Sequence, residues 1–166
     1  MRLLLLSLAL LAPLAYAETV TGRVVGIADG DTLTILDASN QQHRIRLSGI
    51  DAPEKKQPFG SRAKQNLGSL AFGKDVQVEW SKLDRYGRIV GKVIGDGQDV
   101  GLQQLQAGLA WWYRQYARER SEQDQAAYSQ AEDAARVARL GLWSNAQSIP
   151  PWEYRHKDVL RAGYRQ

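Results

Sequence analysis

The stretch Thr19 to Leu47, TVTGRVVGIADGDTLTILDASNQQHRIRL, decides the fold. Thr19 to Ala28 is rich in Val, Thr and Ile, Asp29-Gly30 follows, and Thr32 to Leu36 is β-branched again. Two such runs around an Asp-Gly read as a hairpin, with Asp and Gly supplying the left-handed backbone of a tight turn. Asp37 to Gln42 is a polar turn, and His43-Arg44-Ile45-Arg46-Leu47 then alternates with period two. That places Ile45 and Leu47 on one face of a strand and Arg44 and Arg46 on the other.

Working outward, Asp51-Ala52-Pro53-Glu54 breaks the pattern, and a loop runs to Gly60. Ser61 to Phe72 reads as a helix capped by Ser61 and stopped by Gly73, with Ala63, Leu67, Leu70 and Ala71 on one face. Asp75 to Trp80 alternates as a fourth strand, Ser81 to Arg88 is a polar hairpin, and Ile89 to Ile94 is a fifth strand. Asp99 caps a short helix over Val100 to Ala107, with Gly108 as its stop. Ser121-x-x-Asp124 is a capping-box pattern, followed by an alanine stripe at Ala127, Ala131, Ala134 and Ala138 that Gly141 ends. The tail from Pro150, carrying Arg155, Lys157, Arg161 and Arg165, reads as extended or loosely held. Five short strands with a helix between the third and fourth is the order of an OB-fold, a small Greek-key barrel. The expected class is therefore α+β, mainly β: one five-stranded barrel with about three helices.

Composition narrows the chemistry. The 166 residues include no Cys and two His, so a disulfide framework is excluded and a structural zinc module disfavoured. Any metal site must be mostly oxygen-lined, which points to calcium, magnesium or manganese. The formal charge of +4 favours an anionic partner. Met1-Arg2, the apolar run Leu3 to Leu11 and the small-x-small Ala15-Tyr16-Ala17 follow the order of a secretory signal peptide. The apolar run is short for a membrane span. The expected organisation is a signal peptide over 1–17, a barrel domain over 18–148 and a basic tail over 149–166, with the mature chain exported to the periplasm or the medium.

Four clusters carry candidate chemistry. Asp29-Gly30-Asp31-Thr32 is a turn that displays Asp31 at the barrel rim, where a carboxylate can hold a hard cation. Arg46-(x4)-Asp51-Ala52-Pro53-Glu54 brings an arginine and two carboxylates to one rim, with Pro53 stiffening the loop. Asp84-Arg85-Tyr86-Gly87-Arg88 offers guanidiniums for phosphate beside a ring that can stack on a base. In Gly108 to Tyr116 the Trp pair suits a core, while Tyr113 and Tyr116 stand in a less apolar stretch.

Taken together and in order, these pieces resemble the staphylococcal-nuclease-like (thermonuclease) family. The matching segments are Val25 to Thr32, Arg46 to Glu54, Asp84 to Arg88, Gly108 to Trp111 and Leu142-Trp143-Ser144. The resemblance implies an OB-fold enzyme that hydrolyses DNA and RNA in a calcium-dependent manner, leaving 3′-phosphate and 5′-hydroxyl ends. It places the calcium ligands on Asp31, Asp51 and the Ala52 carbonyl, the general base on Glu54 and the catalytic arginines on Arg46 and Arg88. It places nucleotide contacts on Arg85 and Tyr86, and a second aromatic contact for which Tyr113 and Tyr116 compete. The alternative is a non-catalytic OB-fold module that only binds nucleic acid; the intact acidic and arginine set favours the enzyme. Single strands are the expected preferred substrate, and the expected mature protein is a monomer without stable membrane association. The signal pattern makes Glu18 the expected first residue of the exported protein. Mass spectrometry of exported material checks this, and retention of Met1-Arg2 would instead indicate an anchor.

Overall fold

Alternating β-branched residues give long strands whose apolar faces are buried by closing the sheet on itself. In the computed structural model, which describes residues 18–156, this is the outcome. The proposed signal segment and tail residues Lys157, Arg161 and Arg165 lie outside the described residues. The strands are β1 (Glu18–Ile27), β2 (Thr32–Leu36), β3 (Gln42–Leu47), β4 (Ile50–Asp51), β5 (Asp75–Leu83), β6 (Ile89–Gly95), β7 (Gln98–Asp99) and β8 (Trp111–Trp112). The helices are α1 (Gly60–Ala71), α2 (Val100–Gln106) and α3 (Glu122–Val137), with 3₁₀ segments at Arg114–Glu119 and Gly141–Ser144.

Strand β1 pairs antiparallel with both β2 and β5, β2 pairs with β3, and β5 with β6. A parallel pairing of β3 with β6, Ile45 opposite Ile89, closes the ring. This five-stranded closed barrel with its helices is the expected OB-fold architecture. Ile45 and Leu47 point inward with Leu33, Ile35, Val78 and Val93, all essentially inaccessible. Ala63, Leu67 and Ala71 of α1 and Val100 and Leu105 of α2 complete the same core. Asp99 caps α2 as expected, its carboxylate accepting from the N–H groups of Gly101 and Leu102.

Several local expectations are corrected. Gly30 is not among the residues with left-handed backbone; its role is close approach. A Cβ there would stand 2.6 Å from the Ala63 Cβ and 2.7 Å from that of Ala52. Ser61 does not cap α1: the N-cap is Phe59 at φ 69°, with no side-chain bond. The helix starts one residue early, at Gly60, where any Cβ would collide with the Glu54 carbonyl. Strand β5 continues past Trp80 to Leu83 through a bulge, so only Asp84 to Arg88 forms the hairpin tip.

The Ser121 side chain does cap α3, accepting from the Asp124 N–H at 3.1 Å. The buried face of α3 is Tyr128, Ala131, Glu132 and Ala135, however, and Ala134 and Ala138 are exposed. Tyr128 sets this rotation, because its hydroxyl donates to Asp99 at 2.8 Å and so turns α3 toward the N-terminus of α2. The tail also departs from expectation: residues 151–156 form a helical turn against the barrel.

Gly30→Ala forces a methyl into the junction of the β1–β2 turn, α1 and the β4 loop. Overpacking of this kind costs about 1–3 kcal/mol. Urea unfolding of the variant checks it; stability equal to wild type would show that the junction yields freely.

Candidate active site

The end of β3 and the start of β2 lie side by side, fixed by the Leu47 N–H donating to the Asp31 carbonyl at 2.8 Å. This register puts Asp31, Arg46 and β4 at one rim. Asp31 is 6% exposed rather than displayed, and Asp51 is 2% exposed. The Asp31 carboxylate accepts from the Ala52 N–H at 2.8 Å and from the Thr32 hydroxyl at 3.0 Å. Arg46 spans both acids: Nη2 donates to Asp51 at 2.9 Å, and Nη1 lies 3.3 Å from Asp31. Nη1 also donates to the carbonyls of Leu47 and Ile50, which fixes the plane of the guanidinium. Burial pushes the Asp31 carboxyl up to about 7, with Arg46 opposing and the charges of Asp29 and Asp51 adding to the rise.

Strand β4 is only two residues long and was not foreseen. It pairs with β8, Ile50 opposite Trp112 and Asp51 opposite Trp111. The Trp112 N–H donates in turn to Glu132 of α3 at 3.0 Å. Glu132 is fully buried, with Arg114 at 2.8 Å and Arg136 at 3.3 Å balancing its charge. Asp51 is thus held in place from α3, through two short strands.

Glu54 follows in the stiff loop, its side chain 40% exposed. Its N–H donates to the side chain of Gln57, whose own N–H returns to the Glu54 carbonyl. Gln57 had no local sequence signal, since its partners are set by the loop it closes. Arg88 reaches the same rim: Nη1 lies 3.4 Å from the Thr32 hydroxyl, the group that donates to Asp31. Asp84 aims it, accepting from Arg88 Nε at 2.6 Å and from the Arg88 and Tyr86 N–H groups. Arg85 stacks over Tyr86 at the hairpin tip, and Tyr86 is 65% exposed.

Tyr113 and Tyr116 stand edge to face with centroids 5.5 Å apart, so the structure brings both to the site. The ten residues singled out from the sequence, from Asp31 to Tyr116, line one cleft of about 830 Å³. A further group enters it that sequence reasoning missed. Arg155 donates from Nη2 to Asp51 at 2.9 Å and from Nη1 to Glu54 at 2.7 Å. Pro150-Pro151 was the available signal, because proline favours the first turn of a helix.

No three acidic or histidine side chains converge among the described residues. A cation here would therefore rest on two carboxylates with main-chain and water oxygens. The donor set, oxygen alone, fits a hard cation: two carboxylates face one guanidinium, Asp31 through Nη1 and Asp51 through Nη2.

A barrel rim that combines paired acids, aimed guanidiniums and exposed tyrosines belongs to an enzyme acting on a phosphodiester chain. Comparison with known proteins agrees. Residues 44–145 match the family model described as staphylococcal nuclease homologue. An Escherichia coli protein named an uncharacterized endonuclease is 42% identical over 139 residues, covering 83% of this chain and 86% of its own. A Shigella flexneri protein named micrococcal nuclease is 43% identical over 143 residues, covering 81% and 79%. A Haemophilus influenzae protein, again named an uncharacterized endonuclease, is 36% identical over 166 residues, covering 98% and 90%. The chain belongs to the staphylococcal nuclease family and is a nuclease. The matched span takes in Arg46, Asp51, Glu54, Arg88 and both tyrosines, while Asp31 lies upstream of it.

Asp84→Ala frees Arg88 from its hold and lowers turnover by about 10–100-fold, the cost of a misplaced group. Burial raises the Asp84 carboxyl, but hydrogen bonds from Arg88 and Tyr86 outweigh it and hold the group below its ordinary value. The ionised form that aims Arg88 therefore persists through neutral pH and is lost only as pH falls through that lowered value. Steady-state rates with unchanged unfolding midpoints check this; a rate equal to wild type would show that Arg88 needs no aiming.

Proposed function

We propose that the chain is an exported, calcium-dependent nuclease that cleaves DNA and RNA to 3′-phosphate and 5′-hydroxyl ends, acting as a monomer and preferring single strands. The observation that carries this reading is the joining of Asp31 and Asp51 by one guanidinium, with Glu54 and Arg88 at the same rim. Asp31, Asp51 and the Ala52 carbonyl are the groups that would hold the ion, which when bound offsets the negative charge of the phosphodiester.

Glu54 accepts the proton of the water that attacks phosphorus, from a loop that Pro53 and Gln57 keep in one direction. The P–O5′ bond breaks, and the leaving 5′ oxygen takes a proton from solvent water to become the 5′-hydroxyl. Arg46 and Arg88 donate to the phosphoryl oxygens as negative charge accumulates on them. Arg85 and Tyr86 grip the strand at the hairpin tip, and Tyr113 and Tyr116 offer faces to bases. Unpaired bases can reach those faces and stacked duplex bases cannot, which supports the single-strand preference. Among the described residues no helix is long and apolar enough to cross a membrane.

The test is digestion of heat-denatured and intact DNA in calcium and then in excess chelator, with end-group analysis of the products. The expected result is calcium-supported cleavage, faster on the denatured form and lost in chelator. Glu54→Gln is expected to lower the rate by about 10²–10⁴ without loss of fold. Full activity in chelator would overturn the cation requirement, equal rates on both DNA forms the strand preference, and a near-normal Glu54→Gln rate the base.

A further inference from the structure

The segment after Ile149 occupies the groups that the reaction needs. Its Arg155 bonds Asp51 at 2.9 Å and Glu54 at 2.7 Å, and a second contact to Asp51 spans 3.4 Å. Three residues earlier, the Trp152 ring lies tilted on that of Tyr113 with centroids 5.4 Å apart. One short segment therefore engages a cation-facing carboxylate, the carboxylate placed as base and a ring placed for stacking.

Its anchors reach back to the loop that carries Glu54. Gln57 Nε2 donates to the Ile149 carbonyl at 2.7 Å, the Tyr154 hydroxyl donates to the Lys56 carbonyl at 3.4 Å, and Pro151 is buried. The Arg155–Glu54 arm of the contact is open to water, its side chains being 46% and 40% exposed, whereas the Asp51 carboxylate on the other arm is 3% exposed. Exposed pairs such as the one to Glu54 are weak and readily exchanged. The segment is thus positioned firmly at its base, with one arm of its tip held lightly.

We propose that residues 150–156 form an internal strap whose Arg155 guanidinium takes the place of the cation at Asp51 and at the same time pairs with the base Glu54, so that cation binding requires Arg155 to leave. This deepens, and rests on, the reading of Asp51 as a cation ligand. A guanidinium and a divalent ion compete for the same carboxylate oxygens, and Glu54 cannot accept a proton from water while Arg155 occupies it. Exchange of the two positive groups replaces one positive charge by two, so the rim is one unit more positive when the ion is bound and Arg155 has left. The strap keeps the paired acids compensated in the absence of the ion, and it sets a threshold of calcium below which the cleft stays closed.

The experiment is calorimetric titration of the full-length mature protein with calcium alone, without nucleic acid. Arg155→Gln removes the competing charge, and Trp152→Ala loosens the strap without touching a carboxylate. Arg62→Gln, on the exposed face of α1, makes the same charge change away from the cleft. If the strap is closed in about 70–90% of molecules, its removal tightens calcium binding about three- to tenfold. Arg155→Gln is expected to show that gain, Trp152→Ala a smaller one in the same direction, and Arg62→Gln none. Unchanged or weaker binding in Arg155→Gln would overturn the strap, as would equal tightening in Arg62→Gln. Asp51→Asn separates the underlying reading: calcium binding that survives this change would show that Asp51 is not a ligand, whatever Arg155 does.

Discussion

Asp31 and Asp51 are both buried at one end of an apolar barrel, and the cost of taking two acids out of water there is the constraint to which the surrounding chain is fitted. Buried like charges are tolerated only when opposite charge and hydrogen-bond donors stand close by. Arg46 supplies the first, and its guanidinium is itself fixed by two carbonyls at the strand end. The Ala52 N–H and the Thr32 hydroxyl supply the second. Glycine at position 30 and alanines at 52 and 63 let the chain segments bearing these donors approach closely enough. The substrate of a nuclease carries the same sign of charge as the acids. A rim that carries paired acids therefore has to set positive groups for phosphate beside them within one cleft.

The barrel was legible because strands write their faces with period two. Ile45 and Leu47 alternate with Arg44 and Arg46, and that alternation alone distinguishes core from rim. The acids were legible because turn chemistry and the stiff Ala52-Pro53 step mark where strands end. What the sequence concealed depends on distant partners. Strand β4 is two residues long and exists because β8, some sixty residues downstream, pairs with it. Gln57 and Arg155 look like ordinary surface polar residues until the loop and the tail fold back on Glu54. The face of α3 was misread because alanine spacing carries little weight beside one tyrosine with a buried hydroxyl partner. Gly30 was read as a source of backbone freedom, although the structure uses its missing side chain.

The hairpin tip and the tyrosine pair show two ways of presenting an aromatic ring. Tyr86 stands in solvent with guanidiniums against its face, so its orientation comes from charge. Tyr113 and Tyr116 belong to a segment anchored by Arg120, which is almost wholly buried and donates to the Ser48 carbonyl at 2.6 Å. That arginine ties the tyrosine segment to the turn between β3 and β4, beside the main-chain pairing of β8 with β4 and the Tyr113 N–H bond to the Gly49 carbonyl. The aromatic wall and the acidic floor of the cleft are joined by main chain and side chain together.

The dependence of Asp51 on β8, and of β8 on Glu132, also orders events in time. Contacts between residues far apart in the chain close late, because the loop between them must be ordered first. The hairpins of the barrel join near neighbours, whereas the β4 carboxylate gains its final position only when α3, close to the C-terminus, has docked. A chain in mid-synthesis can hold its barrel strands in register and still lack an assembled catalytic centre. Placement of the acidic rim is thereby tied to the arrival of α3 and not to closure of the barrel alone.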